Sequence, residues 1–172
     1  MPHYFRENQT KLARLQKQLS HKVGSRKGER KSSGWRKQHQ RIAKLQGHIS
    51  NQRRDFLHKL SKGLTDKYDI IAIEDLDMRA LSNKGFGNGK ATLDNSYGAF
   101  TTMLEYKLKY QGKRLVKIDR WYPSTQTCSC CGNRQQLTLA TRTYRCPICG
   151  NTMDRDHNAA INIRNEAMRL VA

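Results

Sequence analysis

Two pairs of cysteines in the last third of this 172-residue sequence have the spacing of a metal site. Cys128 and Cys131 form one Cys-x-x-Cys-Gly motif, and Cys146 and Cys149 form a second one 14 residues later. Four thiolates at this spacing bind Zn²⁺ tetrahedrally. Because they leave no open position for water, we expect the metal to stabilise a small fold and not to catalyse a reaction. Disulfides or buried free thiols are the alternative, but the polar opening of the sequence does not resemble a secretory signal.

The residues between the two cysteine pairs predict a small β-hairpin. Residues 137–139 and 143–145 alternate between apolar and polar side chains, as strands with one buried face do. A hairpin that carries two Cys-x-x-Cys pairs is typical of a zinc ribbon. Cys130 lies between two predicted ligands of the same pair, so we expect it to be a free thiol outside the metal site.

Two acidic residues, Glu74 and Asp156, are candidates for carboxylates that bind a metal ion in phosphodiester chemistry. Glu74 follows an apolar, β-branched run, so a buried strand would bring it to the edge of a sheet. Asp156 begins a helical stripe that predicts the buried face of a terminal helix, with Ala160, Ile163, Ala167 and Leu170. Two converging carboxylates would bind Mg²⁺, the usual ion of two-metal phosphodiester cleavage. Alternatively, Asp156 is an N-cap or first-turn acid that complements the helix dipole, with His157 an exposed first-turn residue beside it.

The elements around Glu74 predict an α/β core. After the strand that ends at Glu74, residues 82–88 form a loop rich in Gly and Asn. Apolar residues with a helical period follow over residues 97–108, and residues 114–119 predict a second strand. Strand, helix and strand in this order favour a parallel pair joined by a crossover.

The first part of the chain is strongly basic. Residues 1–67 contain 18 of the 33 Lys and Arg but only 4 of the 14 acids, a net charge of +14, against +5 for residues 68–172. Apolar residues with a period near 3.6 predict two amphipathic helices, the first marked by Leu12, Leu15 and Leu19 and the second by Ile42, Leu45 and Ile49. We expect these helices to form an antiparallel hairpin, joined by a flexible basic loop between Lys22 and Lys44.

This charge points to a polyanionic partner. A solvated helical surface is the alternative, but mixed charges would provide solubility without such an imbalance of sign. We therefore predict contacts to a nucleic-acid backbone from Lys22, Arg26, Lys27, Arg30, Lys31, Arg36, Lys37 and Arg41. No apolar run approaches the length of a membrane span, and we expect a cytoplasmic protein with no membrane partner.

Several ordered motifs together resemble the C-terminal portion of the TnpB/OrfB family. This family comprises insertion-sequence transposase-associated proteins that are RNA-guided DNA endonucleases related to type V CRISPR effectors. The resemblance rests on the two cysteine pairs and on residues 53–61, 71–76, 119–128 and 154–163. It covers nearly the whole chain.

The resemblance implies a partial RuvC-like (RNase H-like) α/β domain with a basic helical hairpin at its start and an inserted zinc ribbon. The implied divisions are a hairpin at 1–66, a core at 67–127, a ribbon at 128–149 and a terminal helix at 150–172. Glu74 matches the family's second catalytic carboxylate and Asp156 the third, with Mg²⁺ expected at a complete site. No residue matches the first carboxylate, an Asp on an opening strand.

We therefore expect a truncated TnpB/OrfB-like protein that binds DNA, and guide RNA by family resemblance, but does not cleave DNA alone. Three alternatives remain open. The chain is an Mg²⁺-dependent endonuclease when a missing N-terminal segment or a full-length relative completes its site, it is a non-catalytic zinc-ribbon module, or it is a decaying remnant of a mobile element with no selected role. A zinc-ribbon transcription or ribosomal protein is a weaker alternative, because it accounts for the charge and the cysteines but not for the Asp156 helix or the strand that ends at Glu74.

Overall fold

The computed structural model describes residues 4–77, 96–138 and 140–172. It divides into two compact units, one built from Met1–Gly63 with Met78–Met103 and the other from Leu64–Asp77 with Leu104–Ala172. The Gly- and Asn-rich loop predicted at residues 82–88 lies outside the described residues. In the part of the chain that is described, no helix is both long and apolar enough to cross a lipid bilayer.

The first unit contains the predicted helical hairpin. Helix α1 (Tyr4–Ser20) and helix α2 (Ser33–Lys67) pack through a small apolar core made of Leu12, Ile42, Leu45 and Ile49. The helices run antiparallel, because the Tyr4 ring meets the Phe56 ring edge-on at 6.5 Å while the Gln38 amide donates to the Leu15 carbonyl oxygen at 3.0 Å. The predicted apolar stripes are therefore the faces that the two helices bury against each other.

The connection between the two helices is shorter than the sequence predicted. Because α2 begins at Ser33, the basic loop covers only residues 21–32, and the last three predicted nucleic-acid contacts lie on α2 itself. The Ser32 hydroxyl accepts a hydrogen bond from the Trp35 amide at 3.1 Å, which is how a serine caps a helix N-terminus. The runs of Ser and Gly that suggested a longer loop thus include the start of a helix.

The second unit contains the predicted parallel strand pair. Strand β1 (Ile70–Glu74) pairs with strand β2 (Arg114–Ile118), with Ile70 opposite Arg114 and Glu74 opposite Ile118. Helix α3 (Tyr97–Tyr110) lies between them in the sequence. The prediction of a strand–helix–strand order with parallel pairing is confirmed for the described residues.

Two short strands complete this unit, and their pairing differs from the predicted hairpin. Strand β3 (Thr143–Arg145) pairs antiparallel with strand β4 (Thr152–Asp154), not with residues 137 and 138. Leu137 packs on the ribbon core without belonging to a strand, and Leu139 lies outside the described residues. The second cysteine pair lies in the turn between β3 and β4, so these two strands flank that pair.

Helix α4 (Arg155–Val171) packs against all four strands of the second unit. It begins at Asp154, whose Oδ1 accepts hydrogen bonds from the amides of Asp156 and His157 at 2.9 and 3.0 Å. The predicted stripe is only partly the buried face. Ala167 is buried and Ile163 half-buried, but the other stripe residues, Asp156, Ala160 and Leu170, are exposed.

The residues that replace them on the buried face are Asn158, Ala159 and Asn162. The predicted stripe misplaces the buried face because two asparagines, which an apolar pattern does not include, occupy the centre of that face.

Candidate metal centre and carboxylate site

The four predicted metal ligands converge on one point. The Sγ atoms of Cys128, Cys131, Cys146 and Cys149 all lie within 4.8 Å of one another. The Cys128–Cys149 and Cys131–Cys146 sulfur distances are 3.7 and 3.6 Å. Zn–S bonds of about 2.3 Å in a tetrahedron separate the sulfurs by about 3.8 Å. The donor set therefore fits a metal ion such as zinc.

The two cysteine pairs are built as equivalent knuckles. In the first, the Cys128 amide donates to the Asn133 carbonyl oxygen at 2.8 Å and the Gly132 amide donates to the Cys128 carbonyl oxygen at 2.9 Å. Gly132 has φ of +76°, a left-handed conformation that costs glycine little. This geometry explains why a Gly follows the pair.

The second knuckle repeats these contacts. The Cys146 amide donates to the Asn151 carbonyl oxygen at 2.9 Å, the Gly150 amide donates to the Cys146 carbonyl oxygen at 3.1 Å, and Gly150 has φ of +70°. Each knuckle supplies one buried ligand, Cys128 or Cys146, and one exposed ligand. The two cysteine pairs therefore present their sulfur atoms in the same backbone geometry, as two halves of one metal site would.

Backbone amides around the cluster favour thiolates, and the thiolates disfavour one another. Burial opposes ionisation of Cys128, but the amides of Cys131 and Cys130 outweigh it and lower the pKa of Cys128 to about 6. The Asn151 amide favours the Cys149 thiolate, yet desolvation and the neighbouring sulfurs raise the pKa of Cys149 to about 12. Four negative charges this close need a compensating cation, which a divalent metal provides.

Tyr144 fills the core of the ribbon beside the cysteine cluster. Its side chain is fully buried together with Cys128 and Cys146. Its hydroxyl lies 3.3 Å from the carbonyl oxygens of Gln126 and Asn133, to which it donates. Burial and the nearby thiolates raise the pKa of Tyr144, so the phenol remains a hydrogen-bond donor at neutral pH. A predicted strand residue thus supplies the largest fully buried side chain among the described residues.

Two asparagines of α4 join the ribbon to the rest of the unit. Asn162 donates through Nδ2 to the carbonyl oxygens of Ser124 and Thr127 at 2.8 and 2.7 Å. Asn158 donates to the same Thr127 oxygen at 2.7 Å and accepts from the Ser129 amide at 3.0 Å. Both asparagines are buried, and together they fix the segment that enters the first knuckle.

These two asparagines are functional residues that an apolar pattern does not reveal, although the sequence contains a signal for them. Asparagine is a poor residue for a helix interior, and Asn158 and Asn162 are four residues apart and therefore on one helix face. Two such residues next to a predicted buried stripe indicate a polar contact that the fold requires.

Glu74 lies at the carboxyl end of β1, as predicted, and its side chain is half-buried. Its Oε1 accepts a hydrogen bond of 2.7 Å from the Ser124 hydroxyl. An open cleft of about 360 Å³ lies at the same edge, lined by Asp75 and residues 117–121. The Trp121 side chain there is 84% exposed. The edge of the sheet therefore combines carboxylates with an exposed aromatic ring.

Asp156 lies in the first turn of α4, on the helix that packs against β1. Its side chain is 74% exposed, and its Oδ1 lies 3.4 Å from the Arg155 guanidinium. This position agrees with the alternative of a first-turn acid, and it also leaves the carboxylate accessible to a cation. Among the described residues, only the four cysteines form a convergent group of three or more potential metal ligands.

The predicted nucleic-acid contacts divide between the loop and the start of α2. Arg36, Lys37 and Arg41 lie on α2, and of the eight predicted residues all but Lys31 are exposed. Lys31 is half-buried because its Nζ donates to the Gly24 carbonyl oxygen and lies 4.7 Å from the centre of the Trp35 ring. Its ammonium therefore helps to close the loop.

Two family models match successive parts of the chain. Residues 1–84 match the OrfB model, whose description is "Probable transposase". Residues 97–163, which contain α3, both knuckles and the start of α4, match the model described as "Cas12f1-like, TNB domain". Residues 85–96 lie between the two matches.

Curated relatives agree with these matches. A Streptomyces pristinaespiralis protein whose name proposes it as an RNA-guided DNA endonuclease is 39% identical over 94% of this chain and 39% of its own length. InsQ of Escherichia coli K12, named in the same way, is 33% identical over 92% of the chain and 42% of its own length. The chain thus spans about two fifths of these relatives.

A solved structure shows the same fold. The structure titled "Cryo-EM structure of the Cas12f1-sgRNA-target DNA complex" contains a chain that matches 94% of this one with a TM-score of 0.59 and 20% identity; the match covers 41% of that chain. With the family models and curated relatives, this confirms the resemblance read from the motifs: the chain belongs to the TnpB/OrfB family.

Proposed function

We propose that this chain acts as a nucleic-acid-binding and metal-binding part of an RNA-guided DNA endonuclease. Within it, residues 1–66 serve as a basic helical hairpin, residues 67–127 and 150–172 as a RuvC-like core, and residues 128–149 as a zinc ribbon. The observation that carries the proposal is the arrangement of the second unit, in which α4 packs on the strand that ends at Glu74 and holds the cysteine knuckle. The names of the curated relatives supply the substrate class.

The partners that we propose are DNA and a guide RNA. Exposed arginines and lysines of the loop and of α2 contact phosphates, which gives affinity without reading a sequence. In contrast, Lys31 supports the loop, since its ammonium is occupied by Gly24 and Trp35. The curated relatives and the Cas12f1 complex support this choice of partners over other polyanions.

The cysteine cluster is proposed to hold Zn²⁺ in a purely structural role. All four positions are taken by thiolates, so no water is activated there. Its sulfur separations near 3.7 Å match a tetrahedral site, and the metal adds stability to a ribbon whose hydrophobic core is small.

The candidate chemistry lies at Glu74 and Asp156, the positions that match two family carboxylates. When Mg²⁺ is bound there, it supplies an activated water and stabilises the leaving oxygen of a phosphodiester. Two carboxylates compensate the charge of two ions poorly, so we propose that this chain alone does not cleave DNA. Completed by a β-strand that carries a further Asp, from a relative or another segment, it would act as an Mg²⁺-dependent endonuclease.

Nucleic-acid binding is tested by the salt dependence of affinity. We expect the zinc-loaded chain to bind duplex DNA with a log K that falls steeply with log salt between about 50 and 200 mM. Replacing Arg26 and Arg30 by Gln lowers the slope by about 2, because each phosphate contact contributes about 0.9. The matched control replaces Arg164 and Arg169, two exposed arginines of α4, by Gln. An unchanged slope in the Arg26 and Arg30 variant would show that the loop is not the contact surface, and an equal loss in the control variant would show that α4 also contacts phosphates.

Cleavage is tested separately with guide RNA, target DNA and Mg²⁺ or Mn²⁺. We expect no product from this chain alone, and we expect product after addition of a segment that supplies the further Asp. Product from the chain alone, removed by Glu74→Gln or Asp156→Asn, would overturn the non-cleaving part of the proposal. Product that survives both substitutions would indicate a contaminating nuclease.

A further inference from the structure

Ser124 makes an unusual choice of hydrogen-bond partner for a buried serine. Its side chain is 3% exposed, and its hydroxyl donates to Glu74 Oε1 at 2.7 Å, fifty residues away in the sequence. Ser61, a fully buried serine of α2, instead donates to the Leu57 carbonyl oxygen one helical turn back. A hydroxyl needs only a carbonyl to be satisfied, so the Ser124 contact is not explained by burial alone.

The Ser124 hydroxyl can hold Glu74 in place because its own backbone is fixed on both sides. Its amide donates to the Tyr122 carbonyl oxygen at 2.7 Å, and its carbonyl oxygen accepts from Asn162 at 2.8 Å. A hydroxyl that donates to a carboxylate forms one of the stronger hydrogen bonds in proteins. The contact therefore selects one orientation of the Glu74 carboxylate.

The same backbone segment leads directly into the first knuckle. Asn162 also binds the Thr127 carbonyl oxygen, and Thr127 precedes the metal ligand Cys128. Beyond the ligand, the Ser129 amide donates to Asn158. Residues 124–129 are thus held by α4 along their length and by the cysteine cluster at one end.

We propose that Ser124 is a positioning residue for Glu74 and that metal bound by the four cysteines maintains this contact. The inference rests on the proposed function in giving Glu74 a cation to bind and the four cysteines a metal. Metal at the cysteines crosslinks the two knuckles and fixes residue 128. Without that metal, the segment that carries Ser124 is held by α4 alone, and we expect the Glu74 carboxylate to lose its fixed orientation. Substitution of a residue that orients a metal ligand typically lowers metal affinity by about 10- to 100-fold.

The contact is read directly from the carboxyl ¹³C resonances of a chain labelled at its glutamate side chains. The sequence contains five glutamates, so the spectrum is simple, and Glu74→Gln identifies the Glu74 signal. In the zinc-loaded chain we expect a separate Glu74 signal. In Ser124→Ala it moves to the position of exposed Glu7, and in Ser124→Thr, which keeps the hydroxyl, it stays.

Two controls separate positioning from a general loss of structure. Ser129→Ala removes a nearby hydroxyl whose hydrogen-bond partner among the described residues is the Met153 sulfur at 3.7 Å, and we expect it to leave the Glu74 signal unchanged. If Ser124→Ala unfolds the unit, Ser124→Cys keeps a similar volume with a weaker donor and gives the same shift. A Glu74 signal that is unchanged in both Ser124→Ala and Ser124→Cys overturns the positioning role.

Zinc removal by a chelator tests the coupling. We expect the Glu74 signal to move as in Ser124→Ala, while Glu105, which pairs with Lys117 of β2 at 3.7 Å, keeps its signal. An unchanged Glu74 signal overturns the coupling, and so does a joint movement of both signals, which would mean that the whole unit unfolds.

Mn²⁺ added to the same sample separates this inference from the proposed function. We expect Mn²⁺ to broaden the Glu74 signal before those of Glu7 and Glu105, and Ser124→Ala to require about tenfold more Mn²⁺. If Mn²⁺ broadens all glutamates equally, the proposed cation site is wrong, while the shift in Ser124→Ala still decides the positioning role. If Mn²⁺ is selective but Ser124→Ala leaves both shift and affinity unchanged, only the inference fails.

Discussion

Replacing Asn162 by Ala is expected to destabilise the second unit far more than an ordinary substitution of a polar helix residue. Asn162 is buried and donates two hydrogen bonds, of 2.8 Å to the Ser124 carbonyl oxygen and 2.7 Å to the Thr127 carbonyl oxygen. The Thr127 oxygen keeps its bond from Asn158, but the Ser124 oxygen loses its side-chain donor in a buried place.

The magnitude follows from these contacts. Two lost hydrogen bonds cost about 1 kcal/mol each, and a buried carbonyl without a partner adds about 1–3 kcal/mol. We therefore expect the free energy of unfolding to fall by about 3–5 kcal/mol. Asn162→Asp should cost still more, because it directs a carboxylate at two carbonyl oxygens.

The measurement is hydrogen exchange of residues 155–171 in the zinc-loaded chain, together with urea unfolding followed by circular dichroism. Asn165→Ala is the matched control, since Asn165 lies on the exposed side of the same helix and should change stability by less than about 0.5 kcal/mol. If Asn162→Ala and Asn165→Ala exchange at the same rate, the asparagine contacts do not hold the ribbon to α4.

Three further predictions test the loop, the ribbon core and the metal centre. Gly24→Ala should lower the free energy of unfolding by about 3 kcal/mol, because φ is +99° and a Cβ would lie 2.7 Å from the Lys31 Cα. Gly28→Ala should lower it by about 1 kcal/mol, because φ is +86° but the space around the Cβ is open. Thermal unfolding measures both. Tyr144→Phe should lower stability by about 1 kcal/mol in urea, since the hydroxyl donor is lost. Cys146→Ser should abolish zinc binding measured by atomic absorption; unchanged stoichiometry would contradict the ligand assignment.

The features that the sequence predicted well are those with strong local signals. The Cys-x-x-Cys-Gly pairs could be placed in one cluster because each glycine marks the left-handed turn of a knuckle, as Gly132 and Gly150 show. The parallel pairing of residues 70–74 with 114–118 followed from two apolar runs separated by a helical segment. In both cases the pattern itself contains the geometry.

The features that were predicted wrongly depend on contacts between distant residues. Strand β3 pairs with β4 after the knuckle, because the turn that carries Cys146 and Cys149 also brings those strands together. The alternation of residues 137–139 does not indicate which segment pairs with β3. Likewise the length of the basic loop depended on the Ser32 cap, which competes with a composition typical of a longer loop.

Polar residues of the core were the hardest to predict. Asn158 and Asn162 are buried because backbone carbonyls of another segment need donors, and nothing in their immediate neighbours indicates that need. Ser124 is equally inconspicuous in the sequence, and its role depends on meeting Glu74 across the fold. A pattern of apolar residues cannot reveal partners of this kind.

The parallel pairing of β1 with β2 also sets an order of events during synthesis. Contacts of the α1–α2 hairpin are between neighbouring segments, so this part can fold as soon as α2 has left the ribosome. Strand β1 must then wait for residues 75–113 before its partner appears, which takes about 2–8 s at ordinary rates of translation.

During that interval Ile70–Glu74 presents an unpaired apolar edge, and α4, which covers both strands, emerges later still. Unpaired edges of this kind recruit other chains. A nascent chain stalled between β1 and β2 is therefore expected to be the aggregation-prone form of this protein, with its helical hairpin formed and its metal ligands not yet made.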